Sequence, residues 1–151
     1  MNLADQIDRN AAFAPWKAAL RFADQEWNYA AFAERIAALA RGMKSQLGVR
    51  RGDRVAVLAM NRPDYLTLLY ACARLGAMLV PLNWRLAPPE LLYILADADV
   101  RALFLASAFS GGATTTRMLP HSAASVAMHT GSGVTCSALM PRWSRCVCQA
   151  A

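Results

Sequence analysis

The chain has 151 residues, 56% of them hydrophobic and 17% charged, with a formal charge of +6 and a mean hydropathy of +0.23. Such a composition suits a globular protein long enough to bury a real core. Basic residues are scattered among acids, with no basic stripe and no aromatic platform, which excludes a nucleic-acid-binding reading.

Met1 to Asp8 places acids where a secretory signal needs positive charge followed by an apolar run. The most apolar window, Tyr65 to Leu82, is broken by Arg74, Gly76 and Pro81, so no transmembrane segment is expected. The expected compartment is cytoplasmic, with Cys72 a reduced thiol in the core.

Leu3, Ile7 and Ala11 recur four apart and predict a short helix stopped by Pro15. Ala19 to Phe22 and Glu26 to Tyr29 flank Ala23-Asp24-Gln25 and predict a hairpin. Asn28 is placed to cap a helix from about Tyr29 to Leu47, with Phe32, Ile36, Leu39, Ala40, Met43 and Leu47 on its apolar face. Gly48 suits the left-handed residue that ends it.

Val55 to Met60 is a continuous apolar run, the pattern of a strand covered on both faces. Asn61 and Asp64 bracket Pro63 as capping and first-turn residues do. Tyr65, Leu68, Leu69, Cys72 and Leu75 then give a helical face ended by Gly76. A second buried strand follows at Ala77 to Leu82, and strand, helix and strand make a βαβ unit. Pro88-Pro89-Glu90 opens another helix, carrying Leu91, Leu92, Ile94 and Leu95, that ends near Asp97 to Asp99. Val100 to Leu105 is the third buried strand. The expected fold class is therefore α/β: an incomplete layered domain with a mainly parallel sheet built from βαβ units, preceded by a hairpin and a helix.

The vocabulary changes after Leu105. All ten acids lie between Asp5 and Asp99, and residues 1–105 hold only Ser45 and Thr67 as hydroxyl residues of the Ser/Thr type. Residues 106–151 hold twelve, with both histidines and three of the four cysteines. Two segments are expected: 1–105 as a folded unit, and 106–151 as an unrelated tail, disordered or read out of frame. Nothing after Ala106 predicts another strong strand or a helix with a convincing face.

Three stretches carry a resemblance. Leu20 to Gly42 resembles the hairpin and first long helix of the adenylate-forming enzymes. Gly48 to Tyr65 resembles their next turn, strand and helix start, and Ala73 to Leu91 is similar to the strand and loop that follow. About 100 residues agree in the same order of elements. The chain thus looks like an N-terminal fragment of an AMP-dependent acyl-CoA synthetase, a family whose members run to several hundred residues.

For a complete protein, the resemblance implies that a carboxylic acid and ATP form an acyl-adenylate, which coenzyme A converts to a thioester, as in fatty acid metabolism. The implied cofactors of the parent are ATP, Mg²⁺ and coenzyme A. The implied machinery is a Ser/Thr/Gly-rich phosphate loop ending in Pro-Lys-Gly, then later motifs and a lysine near the C-terminus. The last lysine here is Lys44. No catalytic, cofactor-binding or metal residue is therefore assigned, and the chain alone is expected to be inactive.

Other candidates fall to plainer readings. Thr130-Gly-Ser-Gly-Val-Thr135 is followed by Cys136-Ser137-Ala138 where a phosphate loop would need Pro-Lys-Gly. His121, His129, Cys136, Cys146 and Cys148 lack zinc-site spacing. Asp97 and Asp99 read as a solvated turn, and Asn83-Trp84-Arg85 as a structural loop. An unfinished apolar sheet raises the alternative of an interaction or regulatory remnant that self-associates or binds a complementary fragment.

Overall fold

The computed structural model describes residues 2–106, 126–128 and 143–148. The elements run α1 (Leu3–Phe13), β1 (Ala18–Phe22), β2 (Gln25–Asn28), α2 (Tyr29–Gln46), β3 (Arg54–Leu58), α3 (Pro63–Leu75), β4 (Met78–Pro81), α4 (Pro88–Asp97) and β5 (Val100–Ala106), then β6 (Val126–Met128) and β7 (Trp143–Cys148). Strands β1 and β2 form an antiparallel hairpin, and the other five form one sheet in the order β4-β3-β5-β7-β6.

Strand β3 pairs in parallel with both β4 and β5. Side chains alternate across it. Val55 and Val57 join a core with Phe32, Ile36, Leu39 and Met43 of α2 and Leu68, Ala71 and Cys72 of α3. Ala56, on the opposite face, joins Leu82, Leu95, Val100, Leu103 and Leu105 beside α4. Strands β3 and β5 are thus covered on both sides, the arrangement that a continuous apolar run anticipates.

Local chemistry sets the element boundaries. Asn28 Oδ1 accepts the Ala31 N–H at 2.9 Å and caps α2. Gly76, at φ +70°, closes α3 in the left-handed region, and the Ala77 N–H returns to the Cys72 carbonyl. Glu90 Oε2 accepts the Ala87 N–H at 2.8 Å and secures the start of α4.

Four expectations are corrected. The second strand, expected to be buried, is the edge strand β4, with Met78 and Pro81 exposed, because no strand pairs on its outer side among the described residues. In α1 the buried residues are Ala4 and Ile7, while Leu3 is exposed, because the helix turns its Ala4–Ile7 side toward α2 and α3. At α3 the capping position belongs to Arg62, not Asn61, and it makes no side-chain cap. Beyond Ala106 the chain does return to the sheet: β7 pairs antiparallel with β5, and β6 with β7. The Ser/Thr-rich composition of the flanking residues hides those two short strands.

Candidate functional site

A concavity lies between the hairpin and the start of α3. It is a cleft of about 500 Å³ lined by Phe22, Asp24, Gln25, Glu26, Trp27, Arg35, Arg62, Pro63 and Asp64. Its walls come from three separate places in the chain. The β1–β2 turn gives one wall, the second turn of α2 contributes Arg35, and the residues just past β3 contribute the third.

Asp64 organises the cleft. It is 7% exposed, and its Oδ1 accepts a hydrogen bond from Arg35 Nη2 at 3.3 Å. The same guanidinium lies 5.3 Å from the centre of the Trp27 ring, close enough for a cation–π contact. One arginine of α2 therefore ties the hairpin, through Trp27, to the first turn of α3, through Asp64. On the outer strand face Arg21 pairs with Glu26 across the hairpin. Farther away Arg74 of α3 pairs with Asp8 of α1.

These groups hold elements together, and they do not form a reacting set. Among the described residues the cleft lining includes no Ser, Cys, His or Lys, and of its three carboxylates Glu26 pairs with Arg21 and Asp64 with Arg35. Among the described residues no three His, Cys, Asp or Glu side chains gather as metal ligands. Cys72 is buried at the α3–sheet interface, and burial pushes its thiol up to about 12. It stays protonated and inert at neutral pH. Tyr65 is also raised by burial.

The residues weighed in the sequence sit apart from the cleft. Asn83-Trp84-Arg85 follows β4 and closes on itself: Asn83 Oδ1 accepts the Arg85 N–H at 3.0 Å, and the Arg85 guanidinium lies 5.0 Å over the Trp84 ring. Asp97 ends α4, and Asp99, at φ +45°, makes the turn into β5; both are exposed. Thr130 to Thr135, His121, His129 and Cys136 lie outside the described residues, and Cys146 and Cys148 fall in β7. The cleft had no signature in the sequence. Its residues are spread from Phe22 to Asp64, and Asp64 beside Pro63 reads locally as an ordinary first-turn acid.

The opposite end of the sheet is basic. Arg50, Arg51 and Arg54 surround the turn before β3, and Arg101 lies beside Gly48. The Arg101 Nε is buried without a hydrogen-bond partner among the described residues. None of the described helices is long and apolar enough to cross a membrane.

With that geometry in place, the fold can be set beside known proteins. The profile of the AMP-binding enzyme family matches residues 7–142. The match runs past Leu105, through the change in composition. The indoleacetate–CoA ligase of Aromatoleum aromaticum is 44% identical over 109 residues, covering 72% of this chain and 21% of that protein. A feruloyl-CoA synthase of an Amycolatopsis species is 45% identical over 95 residues, covering 63% of this chain and 19% of that protein. The anthranilate CoA ligase AuaEII, solved with anthranoyl-AMP, superposes with a TM-score of 0.68 at 31% identity, covering 72% of this chain and 21% of that one. The chain belongs to the AMP-binding enzyme family. Its fold matches the N-terminal part of these ligases, and it spans about a fifth of the length of the relatives it matches.

Proposed function

We propose that this chain is the N-terminal scaffold segment of an AMP-forming acid–CoA ligase, and that alone it catalyses neither half of the reaction. In the whole protein, a carboxylate would attack the α-phosphate of ATP and release pyrophosphate. The thiol of coenzyme A would then displace AMP. Holding polyphosphate through that step calls for clustered backbone donors, a cation and Mg²⁺. The observation that supports a scaffold role is the site itself: Arg35, one of the two arginines that line the cleft, is engaged by Asp64 and Trp27.

Indoleacetate, feruloyl and anthranilate in the relatives' names all denote aromatic carboxylic acids. Aromatic acids are therefore the first panel to test, with a long-chain fatty acid as the contrasting arm. The test is ATP–pyrophosphate exchange with the purified chain and each acid in turn. Background exchange with every acid is expected, and exchange above background would overturn the scaffold reading.

The segment from about residue 106 is proposed to arise from a change of reading frame, on the strength of its missing acids and its twelve hydroxyl residues. The nucleotide sequence tests it. A frame shift near codons 106–112 should restore a Thr/Ser/Gly-rich loop ending in Pro-Lys-Gly. If one frame instead runs unbroken through codon 142, where the family match also ends, the segment is a divergent continuation of the domain.

A second reading is favoured by exposed aromatic side chains. Phe13 is 86% exposed, Trp16 76% and Tyr93 71%. These side chains lie on separate faces, Phe13 at the end of α1 and Tyr93 on α4. With the exposed edge strand β4 they offer several places for a partner, and the chain would act as an interaction remnant. Capture of the complementary part of a related ligase, with no recovery of exchange activity, would support it over the first.

A further inference from the structure

We draw no further inference here: the strongest candidate, the cleft of about 500 Å³ between the β1–β2 hairpin and the first turn of α3, carries nothing because Arg35 is already engaged by Asp64 and Trp27 and nothing in the structure shows what covers it.

Discussion

Replacing Asp64 by Asn keeps the shape of the side chain and removes the charge that faces Arg35. The side chain of Asp64 is 10% exposed and that of Arg35 is 39% exposed, at an Nη2 to Oδ1 distance of 3.3 Å. Two unit charges about 4 Å apart at an effective dielectric of about 20 attract by about 4 kcal/mol. Water competes for the exposed guanidinium, and burial of the carboxylate costs energy, so the net coupling falls to about 1 kcal/mol, at the upper end for accessible pairs. The single change should cost about 1–2 kcal/mol, since it leaves Arg35 facing a weaker acceptor in a partly dry cleft. The assay is a double-mutant cycle of Asp64→Asn and Arg35→Gln by urea unfolding at low ionic strength, where the pair is least screened. A coupling below about 0.3 kcal/mol, within the error of such a cycle, would refute the claim that this pair ties the hairpin to α3. Trp27→Leu serves as the control for the cation–π contact and should cost about 0.5–1 kcal/mol beyond its lost burial.

Gly76→Ala should destabilise by about 1–2 kcal/mol, because φ is +70° and an added Cβ would meet Arg51 Cγ at 3.0 Å. Gly52→Ala, at φ +89° with nothing within 4 Å of its Cβ, isolates the backbone part; equal losses at both sites in thermal melts would mean that Arg51 yields freely. Leu68→Ala, at a fully buried position, should cost about 3 kcal/mol and lower the urea midpoint. In a Cys136→Ser/Cys146→Ser/Cys148→Ser background, Cys72 should react with a thiol reagent only through unfolding. Its thiol lies near 12 when folded against an ordinary 9.0. The folded state thus holds the proton more tightly, and this contribution to stability is complete below pH 9.0 and is lost as pH rises toward 12. Labelling at pH 8 as fast as in urea would contradict the burial. Arg101→Met should be neutral or stabilising by up to about 1 kcal/mol, since it removes a buried Nε donor that lacks a partner among the described residues; a measurable loss of stability in the same urea assay would show that the guanidinium is satisfied in solution.

Most of the fold was legible because its signals are local. Asn28, Gly76 and the Pro88-Pro89-Glu90 start act through the chain within a few residues, so their roles can be read in one dimension. The continuous apolar runs at Val55 and Val100 announced strands buried on both faces, whereas the run at Met78 gave a strand that lies exposed at the sheet edge. What failed depended on neighbours. The rotation of α1 is set by α2 and α3, which places Leu3 outside although its spacing to Ile7 fits a helical face. Asn61 is a better capping residue than Arg62, yet the turn after β3 brings Arg62 to that position. The cleft was invisible because an ion pair across 29 residues, Arg35 to Asp64, leaves no periodic trace. The pairing of β7 with β5 was missed for the same reason, joining two stretches about forty residues apart.

The strand order carries a consequence for synthesis. In the β4-β3-β5 part of the sheet, the chain lays down its central strand first, steps outward to β4, and then crosses back to the other side. As the polypeptide leaves a ribosome, α2, β3, α3 and β4 can associate once residue 81 has emerged, because their contacts span short loops. The other face waits. Ala56 and Leu82 gain their partners Leu95, Val100, Leu103 and Leu105 only after some two dozen further residues appear. During that interval one side of the nascent sheet is open to chaperones and to neighbouring chains, so a translational pause with residue 81 outside the ribosome and residue 100 still inside would be more hazardous to this protein than one after residue 106 has emerged.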